Sequence, residues 1–220
     1  AFYLDFDAYR KGDPDFRSTT RDVGKLVAEL NEAGVDGLVI DLRGNGGGSL
    51  REANELTGLF IEYGPTVQIK GTGSRVWRDG KRRRGPFYEG PVAVMIDRLS
   101  ASASEIFAGA LQDYGRAIIV GDRSFGKGTV QTLLDLPEGQ LKITESKFYR
   151  ISGESTQHRG VIPDISYPSL LQHDEIGESS LEKALDWDRI APVRHKNYGA
   201  IDAILPTLVA NHTRRANANA

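Results

Sequence analysis

Gly37-Leu-Val-Ile-Asp-Leu-Arg-Gly-Asn-Gly-Gly-Gly48 reads as an apolar strand running into a glycine-rich loop, and the residues from about Ser49 to Tyr63 carry a helical pattern. The strand, Val35 to Leu42, has the continuous apolar character that parallel sheets bury between helices. Strand, glycine loop and helix in that order form the repeating unit of an α/β fold. The same grammar recurs downstream, where Val92 to Ile96 reads as strand, Ala101 to Tyr114 as helix and Ala117 to Gly121 as strand. Upstream, Phe2 to Phe6 is a short strand, and Ser18-Thr19-Thr20 offers caps for an amphipathic helix with Val23, Leu26, Val27 and Leu30 on one face and Gly34 at its end. Thr66 to Lys70 and Ser74 to Trp77 are strands around Gly71-Thr72-Gly73, Thr129 to Leu136 and Leu141 to Arg150 are further strands, and Ser152 to Asp164 is loop. Beyond Pro168 the composition becomes more polar, with helix-like stretches over Leu170 to Ala184 and Tyr198 to Asn211. The pattern predicts an α/β sandwich core over residues 1–167 and a C-terminal helical appendage over residues 168–220.

A chain of 220 residues with 39% hydrophobic and 26% charged residues can bury a core without staples. The absence of Cys excludes a disulfide scaffold, a thiolate metal site and a cysteine nucleophile. A formal net charge of −2 provides no global field toward nucleic acid or anionic lipid. The local basic cluster of Arg75, Arg78, Lys81, Arg82, Arg83 and Arg84, beside Trp77 and Phe87-Tyr88, reads as a solvated hairpin rather than a nucleic-acid patch. The longest apolar stretches are strand-length, far below the roughly 20 residues of a membrane span. The opening Ala-Phe-Tyr-Leu, with neither Met nor a signal-peptide pattern, reads as a fragment or mature piece.

Three constellations compete for chemistry. In Ser100-Ala101-Ser102-Ala103-Ser104-Glu105, a serine at a helix N-terminus lies beside free backbone N–H groups that could stabilise an oxyanion, yet Ser102-x-x-Glu105 is equally a capping box. Gly121-Asp-Arg-Ser-Phe-Gly-Lys-Gly128 nearly matches a phosphate-binding loop, but Gly128 replaces the magnesium-binding hydroxyl and the next segment is strand-like. What remains there is Lys127 between two glycines: a lysine packed closely enough to be desolvated, and so a candidate general base, or else a surface turn. The loop Gly44-Asn45-Gly46-Gly47-Gly48 suits an anion or a carbonyl oxygen, or is a plain turn. Of the four histidines only His158, in a polar loop, is placed to serve as a base. No carboxylate or histidine spacing suggests a metal site, and no cofactor is expected.

Four stretches together resemble the carboxy-terminal processing, or tail-specific, protease family in its long bacterial form. They are Gly37 to Gly48, Ser100 to Gly115, Val120 to Gln131 and Gly160-Val-Ile-Pro-Asp-Ile165, in the family's order, with Trp187-Asp188 and its surroundings resembling the extension of the long forms. The resemblance implies a crotonase-like α/β fold and a serine endopeptidase in which Ser102 is the nucleophile, Lys127 the base and Gln131 the group that orients the lysine. It implies an oxyanion hole from the N–H groups of Ala103 and Gly48, with Gly47 as neighbour. Lys127 and Gln131 would stand roughly 13 Å apart on a regular strand, so the Gly126-Lys-Gly128 segment must be bent for contact. The resemblance further implies protein or peptide substrates taken by their C-terminal tails, no cofactor, a periplasmic or cell-envelope location, and two partners: an adaptor lipoprotein and a PDZ domain, of which this chain shows no stretch. A catalytically silent peptide-binding scaffold of the same family is the rival reading, and a crotonase-like acyl-CoA enzyme a second.

Overall fold

The computed structural model describes every residue except Ser74, Arg83, Arg84, Pro86, Phe87, Leu170, Asn219 and Ala220. Short bridges join Phe2 to Gly48 and Leu4 to Ser18, after which come the helices α1 (Phe6–Arg10) and α2 (Thr19–Glu32). Then follow β1 (Leu38–Asp41), α3 (Leu50–Thr57), β2 (Gly64–Gly71), β3 (Trp77–Lys81), β4 (Val92–Ile96), α4 (Ala103–Asp113) and β5 (Ile118–Gly121). The chain continues with β6 (Thr129–Asp135), β7 (Gln140–Tyr149), β8 (Ile165–Ser166), a 3-10 turn at Glu178–Ser180 and α5 (Ala200–Ala218). One sheet is parallel, in the order β1-β4-β5-β8; the other is antiparallel, in the order β3-β2-β7-β6. Helix α4 packs on α3 and touches β2 and β5, so it lies between the two sheets with nearly every residue buried. Phe107 on α4 meets Phe2 at 6.2 Å and Phe60 at 5.9 Å between ring centres, which ties the N-terminal segment to the middle of the core.

The α/β expectation holds, though Phe2 and Leu4 make only isolated bridges, Phe6 opens α1 instead of closing a strand, and the strand expected over Ser74 to Trp77 begins at Trp77 and runs to Lys81. Three further differences are larger. First, β1 is an edge strand: Val39 is 68% exposed, so this stretch is apolar without being covered on both faces. Second, no α-helix forms over residues 171–184, where the 3-10 turn is the only helical piece among the described residues and the chain is held by the buried guanidinium of Arg98, which donates to the carbonyls of His173 and Ile176. These bonds reach a side chain far earlier in the chain, which local periodicity does not register. Leu170, the expected start of that helix, lies outside the described residues. Third, the expected helix from Tyr198 begins at Ala200 and runs on to Ala218, taking in Arg214 and Arg215.

Segment 186–198 runs back over the core. Gln68 donates to the carbonyls of Arg150 and Ala191, and Tyr198 accepts from the N–H of Glu62 and packs on Tyr114. In the basic cluster, Lys81 is not a solvated charge: its ammonium donates to the carbonyls of Gly58 and Ile61 just beyond α3, where a cation complements unpaired carbonyls. Arg83, Arg84 and Phe87 of that cluster, and Ser74 of the expected strand, lie outside the described residues.

Candidate active site

Parallel sheets offer their carboxyl ends as binding crevices, and the loops that leave β1 and β4 meet at that end. Asn45 is the knot between them. Its backbone carbonyl accepts from the N–H of Ala101 at 3.0 Å and the hydroxyl of Ser104 at 2.8 Å, and its side chain accepts from the N–H of Gly47 at 3.0 Å. Asp97 accepts from the N–H of Gly44, and the Ser100 hydroxyl donates to the Leu42 carbonyl, so the two loops are held as one piece. Gly47 has φ +99°, and a Cβ there would stand 2.6 Å from the Ala101 carbonyl oxygen and 2.9 Å from Ser102 Cβ. Gly47→Ala is therefore expected to cost about 2–4 kcal/mol, read from the urea midpoint, because the collision is with backbone that cannot yield cheaply.

Ser102 sits at the start of α4 with φ +57° and ψ −112°, a conformation that L-residues rarely adopt. The Glu105 N–H donates to the Ser102 carbonyl at 2.9 Å. The expected capping box is present, and its shorter arm is the Ser102 N–H donating to Glu105 Oε2 at 2.8 Å. Ser102 stands at the wall of a cavity of about 640 Å³, bordered also by Gly48, Ala103, Lys127 and Gln131. The N–H groups of Gly48 and Ala103 have no hydrogen-bond partner among the described residues, whereas that of Gly47 is taken by Asn45.

Glu105 is the residue whose weight the spacing did not reveal. Fully buried in the core, its Oε2 accepts from the N–H of Lys127 at 2.9 Å as well as from that of Ser102, while Oε1 accepts from the Ser124 hydroxyl at 2.6 Å and the Gly126 N–H at 2.7 Å. One carboxylate thus anchors the backbones of two residues that lie 25 positions apart in the sequence. Burial pushes its pKa up to about 7, against the four donors, which favour the charged form. The only hint in the sequence was the capping-box spacing, which accounts for one of the four bonds.

Lys127 stands on a loop gripped from both sides. The N–H of His158 donates to the Gly126 carbonyl at 2.9 Å, the N–H of Gly128 donates to Gln157 Oε1 at 2.9 Å, and that of Phe148 donates to the Gly128 carbonyl at 2.9 Å. A Cβ on Gly128 would meet the Gln157 nitrogen and Ser155 Oγ at 2.8 Å, and one on Gly126 would meet the His158 carbonyl group at 2.9 Å. The flanking glycines therefore admit the 155–158 loop. Burial lowers the pKa of Lys127, and its ammonium donates to the Thr129 carbonyl at 3.1 Å. No hydrogen bond joins Lys127 Nζ to Ser102 Oγ or to Gln131 among the described residues. The register of β6 shifts between Val130 and Gln131, and Gln131 reaches the same cavity, where its amide lies 3.4 Å from the Thr144 hydroxyl. The imidazole of His158 does not border the cavity; the residue has φ +60° and serves through its backbone. His173 pairs with Asp122, and His195 with the carbonyls of Val193 and Asp113.

Residues 4–167 match peptidase family S41, and residues 171–220 match the C-terminal domain of tail specific protease. The chain is 45% identical over 194 residues to the tail-specific protease of Haemophilus influenzae, covering 84% of this chain and 28% of that protein. It is 46% identical over 131 residues to the carboxy-terminal-processing protease of Bartonella bacilliformis, covering 59% of this chain and 30% of that protein. The chain thus spans under a third of the length of these two relatives. Among solved structures, the photosystem II D1 C-terminal processing protease superposes with a TM-score of 0.60 at 32% identity, covering 74% of this chain and 42% of that one. With three quarters of its length matched and the loops of that match converging on one cavity, the chain belongs to peptidase family S41.

Proposed function

We propose that this chain carries the catalytic core of a serine endopeptidase that cleaves polypeptides at or near their C-terminal ends through a Ser102–Lys127 dyad and an acyl-enzyme. The observation that supports it most is Glu105 Oε2, which accepts from the N–H groups of Ser102 and Lys127 at once, beside the unpartnered N–H groups of Gly48 and Ala103. Neutral Lys127 takes the proton of Ser102 Oγ as the oxygen attacks the carbonyl carbon, and the negative charge passes to the carbonyl oxygen between the two N–H groups. Collapse expels the amine, which takes the proton from Lys127; a water deprotonated by Lys127 then releases the acyl group. A lysine acts so near pH 7 only if its pKa lies well below the ordinary value of about 10.4, and burial drives it in that direction.

The Thr129 carbonyl, which accepts from Lys127 Nζ, steadies the amine while leaving its lone pair for Ser102, and Gln131 Oε1 is left to orient it while Nε2 faces Thr144. Substrate tails delivered by a PDZ domain, an adaptor lipoprotein and a place in the bacterial cell envelope belong to the same proposal. Among the described residues no helix is long and apolar enough to cross a membrane.

Ser102→Ala is expected to lower kcat/KM on an unstructured polypeptide with a free carboxyl end by at least about 10³-fold without moving the melting temperature. Undiminished cleavage by that variant overturns the proposal. That no hydrogen bond joins Ser102 to Lys127 among the described residues favours the silent-scaffold reading, which predicts binding of such a polypeptide with no cleavage by the parent protein.

A further inference from the structure

The C-terminal segment reaches the proposed site from behind. Glu178, only 8% exposed, accepts from Gln157 Nε2 at 3.1 Å, and the Oε1 of that same buried amide accepts from the N–H of Gly128, the residue after Lys127. The orientation of the Gln157 amide is dictated by its neighbours, since a backbone N–H demands its oxygen and a carboxylate demands its NH₂. The N–H of Glu178 donates to the Phe125 carbonyl at 3.0 Å, on the other side of the lysine. Arg98, four residues before Ser102 and fully buried, grips the segment through the carbonyls of His173 and Ile176 and the Ser179 hydroxyl, and it also reaches the Ser124 carbonyl. Residues 173–180 are thus fastened to both halves of the site, and the residue they insert is an acid.

We propose that Glu178 is a positioning residue for the general base: by holding Gln157 against the N–H of Gly128, it fixes the backbone on which Lys127 stands. The inference rests on the reading of Lys127 as the base. It makes the C-terminal segment a working part of the peptidase core. Three charged groups face Lys127 from the elements packed around it: Glu178 from this segment and Glu105 from α4 favour its ammonium form, while Lys142 from β7 opposes it. Glu178 therefore both steadies the loop and holds the lysine's proton affinity up.

Two variants, made in the protein that carries this chain, separate these effects. Glu178→Ala removes both acceptor and charge, and is expected to lower kcat roughly 10- to 100-fold with KM unchanged, as displacement of a catalytic group does. Glu178→Gln keeps an oxygen for Gln157 and loses only the charge. It is expected to restore the plateau kcat and to move the acid limb of the kcat/KM profile to lower pH, because a lysine without its anionic neighbour sheds its proton sooner. Wild-type kcat in Glu178→Ala overturns the inference, and so does an acid limb that stays in place in Glu178→Gln. If the alanine variant melts early, the glutamine variant alone decides. An inactive Ser102→Ala beside fully wild-type Glu178 variants removes this inference only, whereas an active Ser102→Ala removes the dyad itself.

Discussion

Lys127→Arg is expected to reduce peptide hydrolysis by at least about 10³-fold while leaving the fold intact. Arginine retains the positive charge and nearly the reach of lysine, so a purely electrostatic role would survive the exchange. A general base must shed its proton, and a guanidinium does not do so in proteins. The side chain borders a cavity of about 640 Å³, which gives the larger head room, so the melting temperature should move by only a few degrees. The parent enzyme should show the complementary sign in its pH profile. Activity rises with pH as Lys127 loses its proton, and burial places that rise below the range of an ordinary lysine. Peptide hydrolysis and calorimetry on the same preparation check both halves, and an arginine variant with parental turnover would sink the dyad.

Glu105→Gln is expected to cost about 2–5 kcal/mol of stability and nearly all activity. Four donors converge on the two carboxylate oxygens, and an amide offers one oxygen and one NH₂. Whichever way the amide turns, two buried donors face a third donor, at about 1–3 kcal/mol each. Because the bonds at stake hold the backbones of Ser102 and Lys127, the loss falls on catalysis before it unfolds the chain. The pH dependence identifies the cause. The folded pKa of Glu105 is about 7, above the 4.5 of the free side chain. Between these values the folded state holds a proton that the unfolded state has released, so stability from this group is complete below 4.5 and falls as pH rises toward 7. The stability gap between parent and glutamine variant should therefore narrow by about 3 kcal/mol between pH 4.5 and 7 and stay level above. Urea titrations at a series of pH values test this, and a gap that does not narrow between pH 4.5 and 7 would mean that the folded carboxyl is ionised throughout that range.

Much of the scaffold was legible because its rules are local. The apolar runs at β1, β4 and β5 and the Ser18 cap each concern residues within one turn or one strand. So does the glycine loop after β1, where Gly47 and Gly48 take φ of +99° and +145° that other residues rarely adopt. Segment 171–184 was misread as helix for the complementary reason: its conformation is set by Arg98, more than seventy positions earlier in the chain. Asn45 and Gln157 look like ordinary loop residues in the sequence, and only their partners show that they knot the site together.

The sequence by itself determined the kind of fold and the candidate chemistry. A serine at a strand-to-helix turn, a lysine between glycines and a glycine loop after a strand carry that meaning wherever they stand, because backbone freedom and side-chain reactivity travel with the residue. Tertiary structure alone decided which of these groups share a wall, that Glu105 binds Ser102 and Lys127 to one carboxylate, that Glu178 arrives from the far end of the chain, and that Lys127 rests on Thr129 rather than on Ser102. The physical reason is distance along the chain. A buried carboxylate is tolerated only where enough donors converge, and donors drawn from residues 102 to 127 can meet on it only once the core has brought their backbones together.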